Sequence, residues 1–273
     1  MIETASYVVE NCQLQPSYFL LRLCIQARID PAPGQFVMVR PHGEYEPLLR
    51  RALVFYRTFR ADTCTEADFV YRTMGRGTTK LSHLRAGDQV DFLGPLGRGF
   101  EWEGASVDAE ALLVSGGIGI PALLMWAQQL SAQKISVRLF HGARTADPER
   151  GMICVNDFIE WMGPDRVVRA TEDGSVGVRG FITDPLEAYL RSAAVCQRQI
   201  FACGPHPMMK RVAELAVEYH TPAQVCLEAP MACGFGVCVA CVVKLKGEKS
   251  NLAEYHRVCT DGPVFDAAQV VWG

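Results

Sequence analysis

The sequence carries little net charge and lacks the long apolar runs of a membrane protein. Its 30 acidic and 27 basic residues leave a formal net charge of −3, so nothing suggests a basic surface that nucleic acid or an anionic membrane would attract. The longest uncharged stretch, residues 111–133, contains three glycines and a proline. A buried strand, turn and helix explains this stretch better than a membrane span does. We therefore expect neither nucleic acid nor a membrane as a partner.

The sequence also lacks a secretory leader, internal repeats and low-complexity segments. Its first ten residues include two acids and no basic residue. The eleven cysteines are an odd number, and without a leader they do not suggest a disulfide framework. We expect a cytoplasmic protein whose cysteines are either buried or metal ligands. A length of 273 residues with 49% hydrophobic and 21% charged residues indicates a folded chain of more than one domain.

Two patterns of secondary structure follow one another along the chain. The first hundred residues contain short runs of β-branched and aromatic residues separated by Pro, Gly and Asp, which is typical of an antiparallel barrel. These predicted strands are residues 7–11, 18–25, 35–40, 52–57 and 69–73. Strands then alternate with helices, which predicts a parallel sheet with crossover helices. The predicted strands here are residues 110–115, 135–141 and 199–202, and the helices are residues 120–133, 185–191 and 207–219.

Four cysteines in the last fifty residues have the spacing of metal ligands. Cys233, Cys238 and Cys241 form a C-x4-C-x2-C run, and Cys259 follows after seventeen residues. This is the plant-type ferredoxin spacing for a 2Fe–2S cluster. A structural zinc site usually has two C-x2-C pairs, and only one is present, so zinc fits less well. The other cysteines lack ligand spacing, and we expect most to be core residues: Cys12, Cys24, Cys64, Cys154, Cys196, Cys203 and Cys226.

Several shorter motifs fit a dinucleotide, although each is weak alone. Arg51 begins a predicted strand, Tyr71 and Arg72 end another, and Gly77-Thr78 belongs to a Gly-x-Gly-Thr turn. Arginine and turn amides suit a pyrophosphate, and a tyrosine offers a flat face to an isoalloxazine ring. Such residues more often form a solvated strand edge or an ordinary turn.

Two glycine-containing segments end predicted strands. The run Ser-Gly-Gly-Ile-Gly at residues 115–119 joins a strand to a helix, where doubly wound sheets bind dinucleotides. Cys203-Gly204-Pro205 ends a later strand in the same way. The G-x-G-x-x-G fingerprint is absent, and either turn could merely make room for packing. Arg144 lies where adenosine selectivity would reside and could meet a 2′-phosphate or the adenine face, so NADH and NADPH both remain open.

The order of these motifs resembles the ferredoxin–NADP reductase superfamily and, within it, the electron-transfer subunits of class 1B dihydroorotate dehydrogenase. Gly-Pro-Leu-Gly at residues 94–97, Thr-Glu-Asp-Gly-Ser-Val-Gly at 171–177 and Cys-Thr-Asp-Gly-Pro-Val-Phe at 259–265 extend the resemblance. It implies a multidomain α+β and α/β fold in three parts. These are an FAD-binding antiparallel β-barrel at 1–104, a nicotinamide-binding parallel-sheet domain at 105–222 and a 2Fe–2S module at 223–273.

The resemblance also implies cofactors, partners and site residues. FAD and the cluster would be resident, NAD(H) would be the co-substrate, and no residue would act as a general base. The partner would be a catalytic, FMN-containing dihydroorotate dehydrogenase subunit, in a hetero-oligomer with two of each subunit. The cluster ligands would be the four cysteines above. The implied cofactor-binding residues are Arg51, Ala52, Leu53, Val54, Val70, Tyr71, Arg72, Gly77 and Thr78 for FAD, and Gly116, Gly117, Gly119, Cys203, Gly204 and Pro205 for the nicotinamide.

One departure from the family pattern affects the flavin site. The family's Arg-Pro-x-Ser is Arg51-Ala52-Leu53-Val54 here, which removes a hydroxyl that would bond to the flavin. Two alternatives therefore stay open. The chain could be the equivalent subunit of a hydrogenase or of an NADH-dependent ferredoxin–NADP oxidoreductase, or it could be a non-catalytic regulatory subunit.

Overall fold

The computed structural model describes residues 1–43, 46–104, 108–147, 152–192, 197–247 and 254–273. Cys196 lies outside these ranges. The predicted boundary between residues 104 and 105 also falls where a described range ends. Within them, the chain forms two large sheets and one small hairpin. No helix in these ranges is both long and apolar enough to cross a bilayer.

The first sheet is antiparallel and curls into a half-barrel. Over the described residues its strand order is β4-β3-β7-β1-β2-β6-β5. The chain crosses between the two edges at Phe55 and Tyr56, whose N–H groups donate to the carbonyls of Gln35 and Asp68 at 3.2 and 2.9 Å. The single strand predicted at residues 52–57 is therefore wrong, because it is two strands on opposite edges. The strands are β1 (Ile2–Gln15), β2 (Tyr18–Ile25), β3 (Phe36–Pro41), β4 (Arg51–Val54), β5 (Arg57–Arg60), β6 (Thr65–Arg72) and β7 (Gln89–Leu96).

Successive side chains of these strands point alternately to an enclosed face and to an outer face of the sheet. Leu53, Phe69, Tyr71 and Phe92 lie in one apolar core inside the curl. Helix α1 (Arg76–Ser82) follows β6, and its Leu81 lies in this same core. The opposite face of β4 and β6 is consequently free to meet the rest of the molecule.

The second sheet is parallel except for its last strand, and helices cover both faces. Its order in the part of the chain described is β11-β10-β9-β8-β12-β13-β16. Helices α2 (Pro121–Ala132) and α3 (Val155–Met162) cover one face, and α4 (Thr183–Ser192) and α5 (His206–Glu218) cover the other. The fold class predicted from the sequence is thereby confirmed. The strands are β8 (Ala109–Gly116), β9 (Ser136–Ala143), β10 (Val167–Thr171), β11 (Val178–Arg179), β12 (Gln197–Cys203), β13 (Ala223–Cys226) and β16 (Val264–Asp266).

The cysteine-rich part is built onto the second sheet. Its own regular structure is a hairpin of β14 (Val242–Lys244) and β15 (Tyr255–Arg257). Strand β13 pairs in parallel with β12, and β16 pairs antiparallel with β13. Both strands belong to the predicted 223–273 module, yet they are hydrogen-bonded into the second sheet. A backbone division between these two parts therefore follows β13 rather than preceding it.

A buried polar contact joins the half-barrel to the second sheet. The hydroxyl of Tyr56 donates to the Asp157 carboxylate on α3, and Arg57 forms an ion pair of 2.9 Å with the same carboxylate. The Tyr56 side chain is fully buried, and desolvation is the main reason that its pKa lies above the usual value. This contact fixes the outer face of the half-barrel against α3.

Candidate functional site

The order of strands places a binding crevice between β8 and β12. From β8 the chain adds β9 and β10 on one side, and then β12 and β13 on the other. Open α/β sheets bind their ligands at such a switch point, beyond the carboxyl ends of the strands. Gly117–Gly119 follows β8 as a single 3-10 turn, and Gly204-Pro205 follows β12. Both glycine segments singled out in the sequence therefore flank the switch point.

The two glycine segments touch each other. A Cβ atom added to Gly119 would lie 2.2 Å from the carbonyl oxygen of Cys203. One added to Gly116 would lie 2.6 Å from Cδ of Pro205, and Gly117 has a φ of +52°. Glycine is required here because any side chain would separate the two turns. The turn at Gly117–Gly119 also lies against β6 of the half-barrel.

A buried polar pair lies directly beneath this crevice, and sequence reasoning missed it. Ser115 and His141 are neighbours on β8 and β9, and Oγ of Ser115 lies 2.8 Å from Nδ1 of His141. Within the described residues the other ring nitrogen, Nε2, has no hydrogen-bond partner. Burial lowers the pKa of His141 to about 4, so the ring is neutral at pH 7. Only the register of the two strands reveals the pair.

Arg51 lies where the FAD motifs were predicted to meet. Its guanidinium packs on the first turn of α1, because a Cβ on Gly77 would lie 2.1 Å from Nε of Arg51. Nη1 donates to the carbonyl of Leu49 at 2.8 Å, which holds the side chain in place. Thr78 accepts the N–H of Met74 at 2.9 Å. A guanidinium packed on a glycine-containing turn is suited to phosphate oxygens, which it can bind with two parallel N–H groups, so these residues fit a pyrophosphate.

The remaining residues predicted for FAD divide between the two faces of their strands. Ala52 and Arg72 are exposed, and Val54 and Val70 pack into the core between the half-barrel and α2. These four share the outer face, at the crevice. Leu53 instead lies inside the half-barrel.

The interpretation of the Tyr71 ring as a flat face for a cofactor is wrong. Tyr71 is 2% exposed, because alternation along β6 turns its side chain into the half-barrel. Its ring stacks on Phe19 with centroids 5.6 Å apart, and its hydroxyl donates to Asn11 at 3.1 Å. Only the Tyr71 backbone remains available at the crevice.

The four cysteines with ligand spacing form two thiol pairs. The thiols of Cys233 and Cys238 interact. The backbone N–H of Cys238 also donates to Sγ of Cys233 at 3.5 Å. The Cys259 thiol interacts with Cys241, and it also lies within electrostatic range of Cys233. Among the described residues no group of three or more Cys, His, Asp or Glu side chains is already arranged around one point. Two pairs suit two irons with two thiolates each, so the donor set fits a 2Fe–2S cluster.

The cysteine loop favours negatively charged sulfur at one ligand. Burial alone would raise the pKa of Cys233, but N–H groups of Cys238, Phe235 and Val237 outweigh it and lower that pKa to about 6. Burial and the neighbouring Cys241 thiol raise the pKa of Cys259 to about 12. Coordination to iron would deprotonate all four thiols, whatever their separate pKa values.

The cysteine loop rests directly on the half-barrel. Gly234 has a φ of +82°, and a Cβ there would lie 2.4 Å from Cγ of Met38 on β3. The N–H of Arg98, just after β7, donates to the carbonyl of Gly262 at 2.6 Å. The Gly-Pro-Leu-Gly and Asp-Gly-Pro motifs thus meet, and they anchor the cysteine loop beside the predicted flavin face.

The six described cysteines outside the ligand set only partly match the prediction of core residues. Cys64, Cys203 and Cys226 are buried, whereas the remaining three, Cys12, Cys24 and Cys154, are half-buried. Cys203 and Cys226 are partners in register on β12 and β13, and their contact together with burial raises the pKa of Cys203.

The fold and site define the class of ferredoxin reductase-like proteins. The solved structure of an NADH-dependent reduced ferredoxin–NADP oxidoreductase superposes with a TM-score of 0.80 and 29% identity, covering 98% of this chain and 90% of that one. Phthalate dioxygenase reductase, at 16% identity, shares the fold with a TM-score of 0.65 over 94% of both chains.

Sequence comparison narrows the class to one family. The model of the iron-sulfur cluster binding domain of dihydroorotate dehydrogenase B matches residues 228–271. The dihydroorotate dehydrogenase B (NAD(+)) electron transfer subunit of Geobacillus kaustophilus is 40% identical over 240 residues, 88% of this chain and 86% of that protein. The Lysinibacillus sphaericus subunit is 35% identical over 96% of both chains. The chain belongs to this family of electron transfer subunits, as the motif order predicted.

Proposed function

We propose that this chain is an oxidoreductase subunit that relays electrons between NAD(H) and a partner subunit that oxidises dihydroorotate. The observation that carries the proposal is the convergence of three sites. The glycine turns at the switch point lie against β6, and the cysteine loop lies against Met38 on β3. Nicotinamide, flavin and cluster sites are therefore linked through packed protein without a flexible connection.

The proposed cofactors are FAD and one 2Fe–2S cluster. Bound at these sites, FAD would convert between the two-electron chemistry of a nicotinamide and the one-electron chemistry of the cluster. We assign the pyrophosphate to Arg51, Gly77 and Thr78. The flanking backbone of residues 52–54 and 70–72 would border the flavin. Val54 supplies no hydroxyl, so its contribution is apolar contact and backbone.

The chain's own residues position the reactants and exclude water. Gly116 and Gly119 allow the two turns to touch, and the nicotinamide would lie in the open space beside Gly117 and Cys203-Gly204-Pro205. The buried, uncharged Ser115–His141 pair forms the floor. No residue is proposed as a general base, because hydride transfer and electron transfer need only position and potential.

The exposed side of the cysteine loop supports a docked partner. Cys238 is exposed, and its loop neighbours Phe235, Val237 and Val239 are 42%, 72% and 57% exposed. Contiguous exposed apolar residues beside a redox site are typical of a protein interface. We propose that a catalytic FMN-containing subunit covers this surface in the cytoplasm, in a hetero-oligomer with two copies of each subunit.

The test compares the chain alone with the chain plus its catalytic partner. Alone, it should pass electrons from NADH to an artificial dye and should not oxidise dihydroorotate. With an FMN-binding dihydroorotate dehydrogenase subunit, the two should copurify and couple dihydroorotate oxidation to NAD reduction. A chain that neither binds the partner nor supports this turnover would contradict the proposal, and a ferredoxin partner would be tested next.

A further inference from the structure

A side-chain amide of the half-barrel joins the two parts of the proposed flavin site. Asn11 is half-buried on β1, where its partner in register on β2 is Leu21, a residue of the enclosed core. The amide lies between the end of α1 and the hydroxyl of Tyr71 on β6. Its bonding partners are 60 to 73 positions away along the chain, so no local motif in the sequence singles it out.

The amino group of the Asn11 side chain holds the carboxyl end of α1. Nδ2 donates to the carbonyl oxygens of Leu81 and Leu84 at 2.9 and 3.0 Å. The last carbonyls of a helix have no partner within the helix, so these bonds satisfy them. Helix α1 has seven residues and is therefore only about 10 Å long. Its first turn, where Gly77 packs on Arg51, consequently moves with the end that Asn11 holds.

The carbonyl oxygen of the same amide accepts a hydrogen bond from β6. The Tyr71 hydroxyl donates to Oδ1 of Asn11 at 3.1 Å. Because Nδ2 faces two carbonyls and Oδ1 faces a hydroxyl, only one orientation of the amide satisfies all its partners. Tyr71 lies between Val70 and Arg72, which share the outer face at the crevice. One amide thus links the strand proposed to border the flavin to the helix proposed to hold the pyrophosphate.

The strand and the helix differ in how firmly the rest of the fold holds them. Strand β6 pairs with β2 along all eight of its residues, and also with β5. Helix α1 belongs to neither sheet, and it is held by the packing of Leu81 in the core together with the bonds at its ends. Loss of the Asn11 amide should therefore shift α1 and leave the backbone of β6 in place.

We propose that Asn11 is a positioning residue for the cofactor: its amide sets the distance between the flavin border on β6 and the pyrophosphate turn of α1, and so favours a flavin that carries a pyrophosphate. The inference rests on the proposed flavin site, and Asn11 itself would touch no cofactor. Its effect should appear only with flavins that reach α1. FAD reaches both places, whereas riboflavin has no phosphate and reaches only the strand.

The test titrates the full chain, with its cluster in place and its flavin removed, with FAD and with riboflavin. The wild-type chain should bind FAD more tightly. Asn11→Leu removes both bonds to α1 and should weaken FAD about tenfold, within the range expected for two neutral hydrogen bonds, while the affinity for riboflavin stays the same. Asn11→Asp keeps an acceptor for Tyr71 but replaces the donor to α1 with an acceptor, so it should produce the same difference between the two flavins.

Gln13→Leu is the matched control, because it removes an amide of the same strand that donates to Pro16 at 2.7 Å rather than to α1, and it should change neither affinity. Tyr71→Phe should weaken FAD by a smaller factor and add nothing in combination with Asn11→Leu, since the two residues share one bond. Equal losses of FAD and riboflavin in the Asn11 variants, or no loss of either, would overturn the inference. A wild-type chain that binds FAD no more tightly than riboflavin would instead refute the proposed pyrophosphate site.

Discussion

Stability should depend on pH through the buried imidazole of His141. Its pKa is about 4 in the folded chain and 6.5 without burial. The folded state keeps the ring neutral, so the unfolded state binds more protons as the pH falls below 6.5. Stability is therefore fully present above pH 6.5 and is lost progressively as the pH falls toward 4.

The folded and unfolded pKa values of His141 determine how much stability is lost. The linkage relation gives a loss of roughly 2 kcal/mol between pH 7 and pH 5 and an upper limit of about 3 kcal/mol at lower pH. Burial is the main cause of the low pKa of His141. Helix α2, which packs against β9, contains no titratable residue, and the partners of His141 in register on the adjacent strands are Ser115 and Arg169.

The assay is urea unfolding of the cofactor-loaded chain at several pH values, compared with His141→Gln. Glutamine can still bond to Ser115 but does not titrate. The free energy of unfolding of the variant should therefore fall by roughly 2 kcal/mol less than that of the wild type between pH 7 and pH 5. Wild-type and variant curves that run parallel over this range would refute the reasoning. The comparison cancels the carboxylates that titrate in both proteins.

Four further outcomes are expected. Cys238→Ser should lose the iron and the cluster absorbance while keeping most of the flavin, whereas Cys154→Ser should keep both; iron retained at about two per chain in Cys238→Ser would remove it from the ligand set. Arg51→Ala should weaken FAD by about tenfold to a hundredfold, the worth of a charge-assisted hydrogen bond, and unchanged affinity in dialysis would place the pyrophosphate elsewhere. Val54→Ser should tighten FAD in the same experiment if a hydroxyl is useful there. Tyr56→Phe should cost about 1.5–3 kcal/mol of unfolding free energy by removing the bond to its carboxylate partner on α3, and a neutral effect would show that this contact does not hold the two sheets together.

The glycine and cysteine motifs could be predicted from the sequence because their spacing is set by local backbone chemistry. A turn that must touch another backbone needs glycine wherever it occurs, as at Gly119. The cysteine run likewise keeps its spacing whatever surrounds it. These signals indicated the two turns at the switch point and a candidate set of cluster ligands without tertiary information.

Features that depend on the pairing of distant strands could not be predicted. The face on which Tyr71 lies follows from the register of β6, and one residue of shift would reverse it. Ser115 and His141 are 26 positions apart and become neighbours only when β8 and β9 pair. The break between β4 and β5 also gives no local signal, because Phe55 and Tyr56 are as typical of a strand as the residues around them.

The pairing of β13 with β16 makes the cysteine-rich segment an insertion with adjacent ends. The chain leaves the sheet after Cys226 and returns at Val264, and these two residues are direct partners in register. A tight turn could join the same two strands without the intervening segment. The cysteine-rich segment is therefore an insertion between two paired strands of the second sheet. It is nevertheless packed into the molecule, because Cys241, Val258 and Cys259 lie in one core with residues of both large sheets. A change in the length or sequence of this insertion would leave the pairing of β13 with β16, and the crevice between β8 and β12, in the same connection.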